Sequence, residues 1–493
     1  MSFDYGQNYG FTGGNSRTGY GNGEDEFEAR QRIRLQLQAV ASEALSGTVF
    51  FEIGNTIWGQ DLGEARRSTG GSLGADGVTV EVKHAYLDWM VPQTDLKIRM
   101  GLQNVSLPSF TTGSQVFNDD VAALVASYQF NENVGLTVFW ARPYNDNGGY
   151  TRRSGRYYNH YLDNIDMFGL VLPLTFDGVK ISPWGMYAAL GPGALGQDPS
   201  SPGALAGGGP GYNYFRAGMF PAGGAHNKWG GDPAKYQQSK YGNAWWVGLS
   251  GDITALDPFR IAFDLNYGSV TYDDSHLNRR GWLASLLFEY KLDWAVPGLY
   301  FWYSSGDDGN AANGSERMPV MDVGGNDHGY STFAFNGHPW IGREETLGSS
   351  MVGTWGIGAR LKDMSFVENL KHTFRVNYIG GTNAPKMARY LNGYDYPDRP
   401  YYARAFGGVY TGPNQHFGNG VGMENLYMTT KDQALELGLS TRYEMYENFT
   451  IYLDANYIAT WINKGAWKYS VMNGRSDQKR DPWNINLSFV YNF

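Results

Sequence analysis

The chain has 493 residues, 42% of them apolar, with 67 glycines, 35 tyrosines, 15 tryptophans and no cysteine. Its 39 basic and 48 acidic side chains give a formal net charge of −9, which excludes the basic footprint of a nucleic-acid binder. No run approaches the roughly 18 consecutive apolar residues of a transmembrane helix, and no compositional shift marks a linker, so one domain over residues 1–493 is expected.

The opening Met-Ser-Phe-Asp-Tyr has no basic, apolar and small-residue regions of a secretory signal. A leader is therefore expected to have been removed upstream, with Met1 inside a first strand that runs to about Gly10. Freedom from cysteine suits an oxidising compartment.

Strict alternation begins at Ala29. Ala29, Gln31, Ile33, Leu35, Leu37 and Ala39 share one face, and Arg30, Arg32, Arg34, Gln36 and Gln38 share the other. Three arginines about 7 Å apart cannot face lipid without a cost of roughly 2–4 kcal/mol each near the midplane. They are expected to point into water or towards counter-charges. In the next segment Val78, Val80 and Val82 have one parity while Ala85, Leu87 and Trp89 have the other, so a bulge near Lys83–His84 is expected. Lys97 and Arg99 follow on an inward face.

Residues 104–119 form a candidate constriction loop ending on Asp119 and Asp120. Its Leu107-Pro108-Ser109-Phe110 stretch and downstream acids resemble the third outer loop of general trimeric porins, which folds into the lumen. The shared face of Arg30, Arg32 and Arg34 is read as a basic ladder opposite Asp119 and Asp120, with the alternative that some of these arginines only pin the loop or brace the wall through ion pairs.

Alternation recurs at 259–268, where Ile261, Phe263, Leu265 and Tyr267 oppose Arg260, Asp264, Asn266 and Gly268, and again at 434–444 and 450–461. Aromatics gather near strand ends at Trp89, Tyr128, Phe130, Trp140, Trp282, Tyr290, Tyr443, Tyr446 and Trp461, as interfacial girdles require. Short turns alternate with long Gly-, Asn- and Asp-rich connections, the longest at 191–240, 307–349 and 381–430. The expectation is an all-β, transmembrane antiparallel barrel of about 18 strands, with 16 as the other count. Short turns would lie on the periplasmic side and long loops outside, and the third loop would lie in the lumen. The last strand places Ile485, Leu487, Phe489, Tyr491 and Phe493 on one face. Phe489, Tyr491 and the terminal Phe493 resemble the signal read by the barrel assembly machinery.

The runs EFEARQRIR (26–34), VEVKHAYLDWMVP (80–92) and FWARPYNDN (139–147) resemble the homotrimeric outer-membrane porins of sulfate-reducing bacteria. The resemblance implies a bacterial outer-membrane location and a homotrimer of barrels. Each barrel would form a pore for diffusion of small hydrophilic solutes.

Inward basic residues (Lys83, Arg260, Lys291, Arg360, Lys362, Arg375 and Arg442 besides those above) slightly outnumber inward acids. The acids are Glu52, Glu81, Asp88, Asp264, Glu289, Glu436, Glu444 and Asp454. No nucleophile motif points to an enzyme. A solute-specific channel would need an aromatic track, for which Trp246 and Tyr452 are the inward candidates. Asp307, Asp308 and Asp322 lack EF-hand spacing and read as solvated loop acids, with a loop-bound Ca²⁺ as the alternative reading, and no other cofactor or metal is expected. Arg152, Arg153 and Arg156 are candidates for lipopolysaccharide contact at the rim.

Overall fold

The structure is a computed structural model and describes residues 1–8, 26–59, 71–73, 80–145, 150–153, 156–159, 164–191, 240–272, 275, 278–310, 313–321, 330–335, 346–348, 350–387, 428–463, 465 and 481–493. Alternating apolar and polar residues with many β-branched and aromatic side chains make most of these segments strands. The first are β1 (Ser2–Gln7), β2 (Glu26–Ser42), β3 (Leu45–Ile57), β4 (Val80–Met90), β5 (Leu96–Ser106), β6 (Asn118–Gln129) and β7 (Gly135–Asn145). A separate hairpin of β8 (Tyr150–Arg153) and β9 (Arg156–Asn159) comes next. Then follow β10 (Asn164–Val171), β11 (Leu174–Phe176), β12 (Val179–Leu190), β13 (Gly242–Ile253), β14 (Phe259–Thr271) and β15 (Arg279–Tyr290). The last are β16 (Val296–Ser304), β17 (Thr354–Val367), β18 (Leu370–Gly381), β19 (Gln433–Tyr446), β20 (Phe449–Trp461) and β21 (Trp483–Tyr491).

Nineteen of these strands form one antiparallel sheet. β10 and β11 both pair with β12 and are one strand interrupted at Pro173, which has no amide hydrogen to donate. The wall therefore has 18 strands, 19 less one, and the count of 16 is excluded. β1 pairs with both β2 and β21, closing the ring. The first strand is described from Ser2 to Gln7, and the expected end near Gly10 lies outside the described residues.

Tight turns join the strands at one end. At Gly178 the turn needs a left-handed backbone (φ +65°), and a Cβ there would lie 2.6 Å from the Ala255 Cα. Along β14, Leu265 and Tyr267 are exposed on the outside while Asp264 and Asn266 are buried on the inside. The nine girdle aromatics named from the sequence are all exposed on the outer surface. An outward apolar belt on a sheet closed through β1 is the arrangement a bilayer selects.

The apolar core lies inside this ring. Trp246, Tyr300, Trp302, Tyr330, Phe333, Phe335 and Leu107 are buried between the inner wall and two chain segments that enter the lumen. The first is residues 107–117, as expected of the third loop. The second departs from expectation: the described parts of 307–349 fold inward rather than projecting outside. Tyr330 stacks on Tyr300 with ring centres 4.1 Å apart and planes 3° from parallel. Most of 191–240 and 381–430, and Asp322, lie outside the described residues, as do the side chains of Arg152, Arg153 and Arg156.

Candidate functional site

The lumen is narrowed by residues 107–117, which leave β5 and return into β6. Their tip reaches the wall of β13, β14 and β15. Ser109 Oγ donates to Asp264 Oδ2 (2.8 Å), and the amides of Phe110 and Thr111 donate to the two carboxylate oxygens (3.0 and 2.9 Å). The Thr111 hydroxyl also bonds to Asp264, and it lies 2.5 Å from Ser285 Oγ. Ser250 donates to the Pro108 carbonyl (2.9 Å) and Arg260 to the Phe110 carbonyl (3.1 Å). A buried carboxylate surrounded by donors from one short segment is a strong anchor, because charge-assisted bonds exceed neutral ones and neither side can be left unsatisfied cheaply.

The second inward segment locks against the first. Met321 donates its amide to the Val116 carbonyl (2.9 Å), and Met351 donates to the Gln115 side-chain oxygen (3.2 Å). The buried Arg279 donates to the carbonyls of Arg317 (3.0 Å) and Met318 (2.9 Å), and Trp246 Nε1 donates to that of Pro319 (2.8 Å). Gly268 and Gly281 are cross-strand partners on β14 and β15 and leave a flat patch for it. A Cβ on Gly281 would stand 2.5 Å from the Met318 nitrogen. Further along, Glu436 accepts from Ser331 (2.7 Å), the Ala334 amide (3.2 Å) and Asn377 (2.7 Å). Trp246 thus points inward but is sealed beneath Pro319, so it cannot serve as a track for solutes.

The charged side chains named from the sequence line the wall of β2 to β6. Arg30 pairs with Glu28, while Arg32 (3.6 Å) and Arg34 (2.8 Å) share Glu52 on β3. Asp88 binds Arg99 through two bonds of 2.8 Å and lies 3.4 Å from Lys97. Arg99 also covers the Tyr86 ring at 4.1 Å. Asp119 and Asp120 differ from expectation, standing at the start of β6 rather than in the loop. Asp120 pairs with Lys83 (2.5 Å) and His84 (2.9 Å) on β4. The arginines on β2 and the acids on β6 therefore share one stretch of wall with β3, β4 and β5 between them, Arg32, Arg34 and Asp120 have nearer partners, and Asp264 makes the contact across the lumen.

The expected bulge is present. The β3–β4 register shifts between Phe50↔His84 and Phe51↔Val82, leaving Lys83 as the extra residue. Two consecutive side chains can then face the lumen and hold one carboxylate. The bulge also places His84 between Phe50 (5.3 Å) and Tyr86 (6.3 Å) on the inner wall. Asp264 and Glu436 were legible as inward acids, but not as anchors of inward segments.

Fold and lumen together define the class: a porin-type β-barrel with an inward-folded third loop. Among solved structures the chain is similar to OpdQ of Pseudomonas aeruginosa, at 10% identity and a TM-score of 0.45, covering 100% of this chain and 96% of that one. It is also similar to OccAB3 of Acinetobacter baumannii (9%, TM-score 0.47, covering 99% and 96%) and OccK10 (OpdN) of Pseudomonas aeruginosa (10%, TM-score 0.47, covering 100% and 97%). No protein-family model matches the chain, and a search of curated proteins finds no relative.

Proposed function

We propose that the protein is an outer-membrane porin, a water-filled channel for passive diffusion of small hydrophilic solutes and ions. The observation that carries this reading is the closed ring with an apolar outside, charges of both signs inside, and a loop anchored across the lumen at Asp264. A diffusion channel needs a radius and a field, and no bond chemistry or cofactor. The radius is set by residues 107–117 and the segment bonded to them. The field comes from Arg30, Arg32, Arg34, Lys97, Arg99, Asp119 and Asp120, acting between low-dielectric walls. Because these groups are largely paired, the selectivity is mild.

The proposal includes a homotrimer in a membrane leaflet of lipopolysaccharide, with Phe489, Tyr491 and Phe493 read by the assembly machinery. Planar-bilayer recording tests it. Purified protein should give ohmic current steps, grouped in threes for a trimer, and folded protein without conductance overturns the proposal.

A second reading is a channel for one small anion or sugar. It is favoured by the presence of two inward segments, which narrow the lumen more than one loop would. Saturable, solute-dependent block of the current would select it over general diffusion.

A further inference from the structure

Burial divides the inner face of the barrel. On β12 to β16 the inward Trp184, Met186, Trp246, Leu283, Tyr300 and Trp302 are all buried, in the core shared with the two segments that enter the lumen. On β3, β4 and β5 the inward Phe50, His84, Tyr86, Asp88, Lys97 and Arg99 are only partly covered. The water-lined side of the lumen therefore includes the wall of β3 to β5.

On that wall three rings form a row. Phe50 and His84 are direct cross-strand partners with centres 5.3 Å apart, and Tyr86 follows His84 on the same face of β4 at 6.3 Å. The partner of Tyr86 on β5 is Gly101, which has no side chain to lay over the ring. Its backbone stands at φ +130°, and a Cβ there would lie 2.2 Å from the Ala85 carbonyl oxygen, so only glycine fits. The row is bounded by ions at both ends. Asp88 holds Arg99 and Lys97 below Tyr86, and Asp120 holds Lys83 beside His84. From His84 to Asp88 the strand rises about 13 Å.

We propose that this strip of wall is a binding subsite for neutral sugar rings, an inference that rests on the channel reading above and gives it a solute class. A pyranose has an apolar C–H face, which suits Phe50, His84 and Tyr86, and an edge of hydroxyls that both donate and accept. Each end of the row offers acceptor and donor side by side, in Asp88 with Arg99 and in Asp120 with Lys83. A few polar groups fixing the orientation of a ligand on an aromatic lining is the usual make-up of a small-molecule site. The same pairing disfavours charged solutes. An anion approaching Arg99 meets Asp88, and a cation approaching Asp88 meets Arg99 and Lys97, so neither recovers the hydration it gives up.

Solute block of single-channel current tests this, read beside isothermal titration of the folded protein in detergent. Maltose is the neutral probe, with gluconate and glucosamine as charged counterparts. Maltose should block the parent saturably, at a lower half-blocking concentration than either charged probe. Tyr86→Ala should raise that concentration about tenfold, while Tyr86→Phe, which keeps the ring, should stay within about twofold of the parent. Phe50→Ala should act in the same direction and replaces Tyr86→Ala if that variant does not fold. Maltose binding that is present in the parent and weakened in the alanine variant supports the site even where no current flows, a result that would overturn the channel reading alone. Maltose block and binding unchanged by loss of the ring overturn the proposal. So does a parent that binds no maltose, or that binds gluconate or glucosamine more tightly.

Discussion

Thr111 and Asp264 are 153 residues apart in the chain, yet Thr111 gives both its amide and its hydroxyl to that one carboxylate. This contact holds the third loop across the lumen, with Ser109 and Phe110 completing the set of donors.

Replacing Asp264 with Ala should release the loop tip. Loss of a buried carboxylate that leaves several donors unsatisfied costs about 3 kcal/mol, which the 18-strand wall can absorb. Single-channel recording should show larger and noisier conductance, and liposome swelling should admit larger sugars. A trace identical to the parent would remove Asp264 as the anchor.

Glu52 neutralises two arginines, so the sign of selectivity is adjustable in both directions. One unit charge at about 8 Å, with an effective dielectric of about 60, is worth ~0.7 kcal/mol, or about threefold in local ion concentration. Glu52→Gln should shift the reversal potential in a salt gradient towards anions, and the double change Arg32→Gln with Arg34→Gln towards cations. Unchanged potentials in both variants would place the filter elsewhere.

Glu316, in the second inward segment, accepts from the Asp308 amide (3.1 Å) and from Asn313 (3.2 Å). Burial is the main cause that raises its pKa above the ordinary value of 4.5, with Asp308 and Asp307 adding to it against the pull of the amide bond. A carboxyl raised on folding stabilises the folded segment below its unfolded pKa, and that contribution is lost as pH rises through the folded value. The amides of 314–317 should therefore be better protected near pH 4 than near pH 7, after correction for intrinsic exchange, and Glu316→Gln should flatten the difference. Equal profiles in parent and variant would count against this sign.

Phe493 is 82% exposed, stacking on Tyr491 at 6.0 Å. Its removal should leave the purified barrel's stability within about 0.5 kcal/mol of the parent, as for other exposed positions. The amount of protein reaching the outer membrane should nevertheless fall several-fold if the ring is an assembly signal. A normal yield of Phe493→Ala in membranes would leave the ring without that role.

Alternation at Ile261–Gly268 or Leu435–Glu444 is a local property, written in consecutive residues by the two-residue period of a strand. For that reason the all-β class, the outward belt, the approximate strand count and the inward direction of Arg32, Arg34 and Asp264 could be read directly. Even the bulge at Lys83 was legible, because parity changes on either side of it. What could not be read were contacts set by closure of the ring. Thr111 meets Asp264, Met351 meets Gln115, and Ser331 meets Glu436 only because a closed wall brings distant strands around a common lumen. Partner choice among charges also depends on register between strands. Arg34 and Glu52 are direct cross-strand neighbours, and Lys83, His84 and Asp120 meet above the bulge. The local pattern says which side chains face water; the three-dimensional arrangement says which of them neutralise one another and which hold the lumen narrow.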